Sequence, residues 1–146
     1  MALRSLRGHP VLLNFFNSQC PDCLDELPTL RHTARTYQAQ GVIVLGVATG
    51  GDTIASARAL ALAGHLPYPV VADEHQDVAW HYNVGGWPIS FFLDAQGHGA
   101  ASTLGRWTHR PCATDWLKRE PCTVRGAAVS TNLHLAIAGL PGQARR

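Results

Sequence analysis

Two cysteines separated by two residues are the sharpest chemical feature of this 146-residue chain. Cys20 and Cys23 follow a short apolar run, Val11–Phe16, and begin a segment with leucines at helical spacing. At a strand-to-helix junction such a pair can close a small disulfide ring. There the unpaired N–H groups and the dipole of the helix favour an anion. Because the thiolate is the reactive form of cysteine, this position predicts Cys20 as the attacking sulfur.

Cys23 lies one turn into the predicted helix, where we expect it to be the more buried of the two thiols. We therefore predict that it resolves a mixed disulfide formed on Cys20 and releases the reduced partner. Pro21 suits the first helical position because it has no N–H to leave unpaired there. The carboxylate of Asp22 opposes the thiolate. This predicts a moderately reducing pair and not a strong oxidant near ~−120 mV.

A zinc site is the main alternative use of these cysteines. Cys112 and Cys122 could complete a four-cysteine site with Cys20 and Cys23. However, nine residues separate the second pair, whereas structural zinc sites usually have about two to four between paired ligands. The spacing therefore favours redox exchange, and we predict no metal.

A second motif, Gly85-Gly86-Trp87-Pro88, precedes an apolar run. A proline after a glycine pair and directly before a strand is a candidate cis bond in a tight turn. Spacing alone nevertheless favours an ordinary trans bond. Pro28 falls inside the predicted helix, where it removes a hydrogen bond, so we expect it to kink the helix or end it early.

The elements that would position these residues alternate along the chain. Apolar runs predict strands, and leucines three and four residues apart predict helices. The predicted strands are Val11–Phe16, Val42–Ala48, Pro67–Ala72, Ile89–Asp94 and His98–Leu104. Two of the three predicted helices are Asp22–Gln40 and Asp73–Tyr82. The third lies between them, capped by Asp52 or Thr53 and ending near Ala63. This alternation is typical of an α/β fold with a largely parallel centre. After Gly105 the pattern predicts no definite structure.

Composition excludes several classes of protein. With 46% hydrophobic and 15% charged residues, the chain is typical of a globular domain. Its formal net charge of +2 is too small to argue for a nucleic-acid partner or an anionic membrane. No apolar run approaches the ~18 residues needed to span a bilayer, and we identify no signal peptide in the chain as given.

Two stretches resemble the TlpA/ResA-type thiol–disulfide oxidoreductases of the thioredoxin superfamily. Residues 6–28 match through L-R-G-H-P-V-L-L-N-F-F and C-P-D-C-L-D-E-L-P, and residues 82–97 through Y-N-V-G-G-W-P-I-S-F-F-L-D-A-Q-G. The resemblance implies a thioredoxin-like fold, which is a mixed central sheet flanked by helices, with the family's usual N-terminal strand missing. It also implies a thioredoxin-like domain over residues 1–110 and a C-terminal extension of unassigned structure over 111–146.

The resemblance also implies roles for individual residues. Cys20 is the nucleophile and Cys23 the resolving thiol. Pro88 becomes a cis-proline packed against the disulfide, and the backbone of Trp87 would pair with the substrate chain. Glu26 aligns with the family's helix glutamate, a candidate acid–base group near the site, and the alternative is a solvated helix carboxylate.

Several residues depart from the family pattern. Asn14 occupies the polar strand position where thioredoxins proper carry aspartate. Gln19 and Phe16 stand in place of the family's tryptophans, and Trp87 replaces a small or β-branched residue before the proline. These changes alter the docking surface, so the resemblance implies no particular substrate.

We therefore predict a monomeric thiol–disulfide oxidoreductase that reduces or exchanges disulfides on protein partners, with a thiol electron donor and no cofactor. The alternative is a non-enzymatic module that binds a protein or a metal through the same cysteines, with His81 or His109 as a further ligand. The resemblance points to the bacterial periplasm or an outward-facing membrane location, and the missing leader to the cytoplasm. Cys112 and Cys122 have no family counterpart, and they are either a second disulfide or free thiols.

Overall fold

The computed structural model describes residues 3–106, so the predicted domain boundary at residue 110, the extension over 111–146 and both of its cysteines lie outside the described residues. Strands and helices alternate within this range. They are β1 (Val11–Phe16), α1 (Pro21–Tyr37), β2 (Ile43–Ala48), α2 (Ile54–Ala63), β3 (Val70–Ala72), α3 (Asp77–His81), β4 (Ile89–Leu93) and β5 (Gly99–Leu104), with 3₁₀-helices at Leu3–Leu6 and Gln38–Gln40. None of the helices in residues 3–106 is long and apolar enough to cross a membrane.

The five strands of this range form one mixed sheet in the order β3-β2-β1-β4-β5. β1 and β3 each run parallel to β2, which lies between them. β4 is antiparallel to β1, and β5 is antiparallel to β4. The predicted mixed sheet is therefore confirmed. The predicted parallel pairing holds only among β1, β2 and β3, because β4 and β5 are antiparallel to their neighbours. β1 is the first strand of the described residues.

β1 is the centre of the sheet, and all six of its residues are buried. Alternate side chains of a strand point to opposite faces of the sheet. On one face Leu12 packs in a cluster with Leu30 of α1. On the other face Leu13 and Phe15 pack in a cluster with Val78 of α3. The helices therefore cover both faces, and the apolar pattern of β1 reflects burial on two sides.

α1 begins at Pro21, one residue before the predicted start, and continues through Pro28 to Tyr37. Pro28 therefore does not end the helix early. The last three residues of the predicted helix form the 3₁₀ turn instead of a continued α-helix. Gly41 then closes the segment with φ +78°, a conformation that glycine adopts without steric cost.

β3 is shorter than predicted and spans only Val70–Ala72. Pro67 and Pro69 have no N–H to donate to a sheet ladder. Pro69 can still accept, and its carbonyl takes a 3.0 Å hydrogen bond from the N–H of Gly46. Regular pairing with β2 therefore begins only after the second proline.

The predicted helix Asp73–Tyr82 is wrong over its first four residues. Gln76 has a left-handed φ of +59°, which interrupts any helix across it. The buried carboxylate of Asp73 instead accepts the backbone N–H groups of Val78 at 3.2 Å and Ala79 at 2.8 Å. Asp73 thus acts as an acceptor for the first turn of α3, and the helix begins at Asp77. The other predicted ends agree with the structure to within one residue, with Thr53 as the N-cap of α2.

The aromatic ring of Tyr82 packs between two others in the core, with centroids 5.2 Å from Phe15 and 5.0 Å from Phe91. Its buried hydroxyl has no hydrogen-bond partner among the described residues, and burial raises the pKa of this phenol. An unsatisfied buried polar group costs about 1–3 kcal/mol of stability. The aromatic ring of Tyr82 therefore stabilises the core, and its hydroxyl does not.

We predict that Tyr82→Phe leaves the free energy of unfolding in urea unchanged or raises it by about 1 kcal/mol. The control is Tyr82→Leu, which removes the ring and should lower that free energy by about 2 kcal/mol or more. A loss of more than about 1 kcal/mol in Tyr82→Phe would mean that the hydroxyl has a partner.

Candidate active site

Cys20 is the N-cap residue of α1. Its backbone is extended, with φ −84° and ψ 114°, and Pro21 occupies the first turn. The Sγ atom of Cys20 accepts the backbone N–H of Cys23 at 3.3 Å. The sulfur thus lies at the positive end of the helix dipole and already receives one of the N–H groups that the helix leaves unpaired. This is the environment that the sequence predicted for a reactive thiolate.

Cys20 and Cys23 form a disulfide, with their Cα atoms 5.2 Å apart. Cys23 is only 2% exposed, whereas Cys20 is partly buried. The pair packs on a small apolar cluster that includes Phe16 of β1 and Ala48 of β2. Solvent therefore reaches Cys20 and not Cys23, which is the asymmetry expected of an attacking and a resolving thiol.

Asn17 ties the loop before Cys20 to the loop after β2. Its Nδ2 donates to the backbone carbonyls of Thr49 at 2.8 Å and Gly50 at 3.1 Å. Its Oδ1 accepts the N–H of Gln19 at 2.9 Å. Both the nitrogen and the oxygen of the Asn17 amide therefore make hydrogen bonds. Through them the side chain fixes the backbone before Cys20 to the loop after β2.

The buried carboxylate of Asp52 makes a second link between the same two loops. It accepts the N–H of Ser18 at 2.7 Å, the hydroxyl of Ser18 and the hydroxyl of Ser56 at 2.8 Å. The sequence offered Asp52 or Thr53 as the cap of α2. Thr53 is the cap, and Asp52 instead holds the loop before the cysteine pair, a role that sequence spacing did not indicate.

The Trp87–Pro88 peptide bond is cis, the geometry that the resemblance implied and that spacing alone did not favour. Pro88 is fully buried. Because Ile89 pairs with Phe15, Pro88 lies level with Phe16, the residue from which the loop to Cys20 leaves. The cis-proline and the disulfide therefore lie at the same edge of the sheet. No described residue hydrogen-bonds to the backbone N–H or C=O of Trp87.

The indole of Trp87 covers Gly50 and remains 39% exposed. A Cβ built on Gly50 would lie 2.3 Å from the Cζ2 atom of Trp87, and Gly50 has φ +71°. The ring thus needs a residue without a side chain beneath it. Sequence reasoning missed this contact, because the two residues lie 37 positions apart and no local pattern links them.

We predict that Gly50→Ala lowers the free energy of unfolding by about 1–3 kcal/mol more than Gly51→Ala does, because only the former forces the indole to move. Gly51 is a matched control, since it also has a positive φ of +96° but no neighbouring atom within 4 Å of the added Cβ. Urea unfolding of both variants measures the difference. Equal losses would mean that the backbone conformation alone, and not the contact with Trp87, sets the cost.

A buried polar network lies beneath the cysteines. Glu26 is fully buried on α1, one turn after Cys23 and therefore on the same face of the helix. The Nδ2 of Asn14 on β1 donates to Glu26 Oε2 at 3.1 Å and to Ser90 Oγ on β4 at 3.0 Å. The alternative of a solvated carboxylate at Glu26 is therefore wrong. Asn14 and Ser90 also belong to the site, and the sequence did not predict the contacts of Asn14 with Glu26 and Ser90.

The phenol of Tyr68 belongs to the same buried region. Burial raises its pKa, and the charge of Glu26 raises it further, while Arg31 lowers it. The phenol therefore stays protonated at neutral pH, and it can donate its proton to a hydrogen bond as well as accept one.

The residues named for a metal site are not gathered in the described part of the chain. Residues 3–106 contain no group of three or more histidine, cysteine or acidic side chains placed to hold a metal ion. His81 is exposed on α3, where its Nδ1 lies 2.7 Å from the carbonyl oxygen of Asp77. His109, Cys112 and Cys122 lie outside the described residues, so the predicted lack of a metal stays a prediction.

Proteins that are similar to this chain in sequence include thiol-disulfide oxidoreductases. Thiol-disulfide oxidoreductase ResA of Geobacillus kaustophilus (strain HTA426) is 34% identical over 106 residues, which are 73% of this chain and 60% of that protein. The match confirms the resemblance to ResA-type proteins, although the chain spans less than two thirds of the length of that relative.

Solved structures give the fold. A secreted Mycobacterium tuberculosis disulfide oxidoreductase homologous to E. coli DsbE superposes with a TM-score of 0.62 and 25% identity, covering 80% of this chain and 83% of that one. A thioredoxin family protein from Chlorobium tepidum TLS, a thiol:disulfide interchange protein, has a TM-score of 0.67 at 22% identity, with 82% of each chain covered. The thioredoxin-like fold is thus confirmed. The family model described as the AhpC/TSA family matches residues 1–98, and the chain belongs to that family.

Proposed function

We propose that the protein is a thiol–disulfide oxidoreductase that reduces or exchanges disulfides on protein partners. The observation that carries this proposal is the disulfide between an N-capping cysteine, Cys20, and a buried cysteine, Cys23. In the reduced state the pair is two thiols, and it gives up two electrons when the disulfide forms. The reaction therefore needs no further cofactor.

The first step is attack by the Cys20 thiolate on one sulfur of a substrate disulfide. A bond forms between that sulfur and Cys20 Sγ, the substrate S–S bond breaks, and the second substrate sulfur leaves as a thiolate that takes up a proton. The helix N-terminus stabilises the attacking anion. Partial exposure of Cys20 gives the substrate access to it.

The second step is attack by Cys23 on Cys20 Sγ, which closes the disulfide and releases the reduced substrate. Cys23 must first lose its proton, and bulk water does not reach a residue that is only 2% exposed. Glu26, buried one turn further along the same helix face, is the residue that we assign to accept this proton. A thiol electron donor then reduces the pair by the reverse sequence.

Trp87 and Pro88 form the proposed contact for the substrate chain. The open backbone N–H and C=O groups of Trp87 can pair with an extended peptide, which adds main-chain hydrogen bonds next to the reacting sulfurs. The exposed part of the indole and the exposed side chain of Leu24, on the turn of α1 that carries Cys23, add apolar contacts.

We further propose that the protein acts as a monomer in the periplasm or at the outer face of a membrane. The secreted M. tuberculosis relative supports this compartment. Residues 1–110 would be the reacting domain, and the exposed carboxylate of Asp22 would keep the pair moderately reducing.

Insulin reduction driven by dithiothreitol tests the proposal. The full chain should accelerate precipitation of the insulin B chain well above the dithiothreitol blank, with many turnovers per molecule. No acceleration would overturn the proposed activity. A module that only binds metal through these cysteines would instead retain zinc or copper stoichiometrically and show no turnover.

A further inference from the structure

The loop after β2 holds the indole of Trp87 in one place. A Cβ built on Gly50 would lie 2.3 Å from Cζ2, 2.5 Å from Cη2 and 3.2 Å from Cε2 of that ring. The carbonyl of Gly50 accepts Nδ2 of Asn17 at 3.1 Å, and Oδ1 of Asn17 accepts the N–H of Gln19 at 2.9 Å. The surface beneath the indole is therefore tied to the residue before Cys20, and the ring keeps a fixed position relative to the attacking sulfur.

The surface beside this ring is open and apolar. Trp87 is 39% exposed, and Leu104 at the end of β5 is 69% exposed. A Cβ built on Gly86 would meet only Cδ1 of Leu104, at 3.8 Å, and one built on Gly85 would meet no atom within 4 Å. The two glycines therefore leave room beside Trp87 for a side chain of another molecule.

The backbone of Trp87 determines which part of a substrate meets the indole. Its N–H and C=O have no partner among residues 3–106. In a peptide paired with them, the residue opposite Trp87 projects on the same side as the indole, with the two Cβ atoms about 5 Å apart. The substrate cysteine must at the same time bring its sulfur to Cys20, at the same edge of the sheet. The paired residue is therefore a close neighbour of that cysteine in the substrate sequence.

We propose that Trp87 is a specificity-determining residue, which selects substrate segments with an aromatic side chain directly beside the reacting cysteine. This inference rests on the proposed function and names its substrate class. Two aromatic rings attract each other more strongly than burial of their area alone provides. A cationic side chain can also lie over an indole, but next to Leu104 it would lose hydration without gaining a polar contact.

Three peptides of equal length test this specificity. Each contains one cysteine and is supplied as the symmetrical disulfide dimer. The first has phenylalanine on each side of the cysteine, the second has these phenylalanines four residues away, and the third has arginine on each side. Four residues of extended chain span about 13 Å, which takes the distant rings away from the indole.

The reaction followed is a single turnover of the fully reduced protein. Its two thiols become the Cys20–Cys23 disulfide, while the peptide disulfide becomes two thiols, so that two electrons and two protons pass to the peptides. Acid quenching and chromatography give the second-order rate constant for each peptide. Division by the rate constant of the same peptide with dithiothreitol removes differences in intrinsic reactivity.

The parent chain should react about 10-fold faster with the flanking phenylalanines than with the distant ones. Trp87→Val should reduce this ratio to within about 2-fold of unity, because the ring is absent. Gly50→Ala should also lower the ratio, since the added Cβ displaces the ring. Gly51→Ala is the matched control and should keep the parent ratio, because its Cβ has no neighbouring atom within 4 Å. A general loss of reactivity changes both rate constants and cancels in the ratio.

Equal rates for the two phenylalanine peptides in the parent would overturn the inference alone. A preference that persists in Trp87→Val, or a faster reaction of the arginine peptide, would also overturn it. So would a parent dimer that Trp87→Val dissociates in size-exclusion chromatography, because a second copy would then cover the indole. If the reduced protein reacts with no peptide faster than dithiothreitol does, the proposed function itself fails.

Discussion

Cys20→Ser should reduce insulin turnover to the dithiothreitol background, whereas Cys23→Ala should stop turnover after one step and accumulate a mixed disulfide on Cys20. Cys20 is the only sulfur of the pair that a substrate can reach, because Cys23 is buried. Without Cys20 no bond to the substrate forms. Without Cys23 the bond forms, but residues 3–106 hold no other thiol to resolve it.

Non-reducing mass spectrometry after incubation with oxidised insulin distinguishes the two variants. We expect an insulin-chain adduct on Cys20 in Cys23→Ala and no adduct at residue 20 or 23 in Cys20→Ser. Gln19→Ala is a control for nonspecific disturbance, because its exposed side chain precedes the nucleophile and takes no part in either exchange step. The reverse outcome, an adduct on Cys23 in Cys20→Ser, would exchange the two roles and contradict the mechanism.

Glu26→Gln should slow turnover by about 10²-fold, the lower end of what a positioned acid–base group contributes. Glutamine keeps the size of the side chain and an oxygen that can accept from Asn14. It cannot accept the proton of Cys23. The rate should therefore rise with pH as the thiol itself ionises, and the difference from the parent should shrink toward the alkaline end of the pH range.

The control for this variant is Asp25→Asn, which neutralises the neighbouring carboxylate on the same helix. Asp25 is 62% exposed at its side chain and lies outside the buried network, so its variant should keep the parent pH profile. Rates measured in single-turnover reactions from pH 6 to 9.5 separate the two. A Glu26→Gln rate within about 3-fold of the parent at neutral pH would remove Glu26 from the proton path.

Local signals in the sequence were enough to predict the elements that carry the cysteines. The apolar run of β1 and the leucine spacing of α1 are short-range patterns. The N-cap position of Cys20 follows from Pro21 at the start of the helix, since a proline is tolerated there and disfavoured further in. Pro28 was harder to interpret, because the sequence cannot show whether the packing of a helix outweighs one lost hydrogen bond.

The parts of the site that the sequence did not predict depend on contacts between distant residues. Asn14 and Ser90 are 76 residues apart and meet only because β4 pairs antiparallel with β1 in one register. A register shifted by one residue would turn either side chain to the other face of the sheet. Trp87 reaches Gly50 only when the cis-proline turn and the loop after β2 lie side by side. Neither contact produces a periodic or local pattern in the sequence.

Alkylation of the fully reduced protein as a function of pH measures whether one sulfur of this pair is ionised and accessible while its neighbour is shielded. Short iodoacetamide pulses, with the modified peptide identified by mass spectrometry, should label Cys20 with a midpoint below the ordinary thiol value of about 8.5. Cys23 should remain unmodified in the same samples. Equal labelling of both cysteines, or a midpoint for Cys20 at or above the ordinary value, would contradict the account.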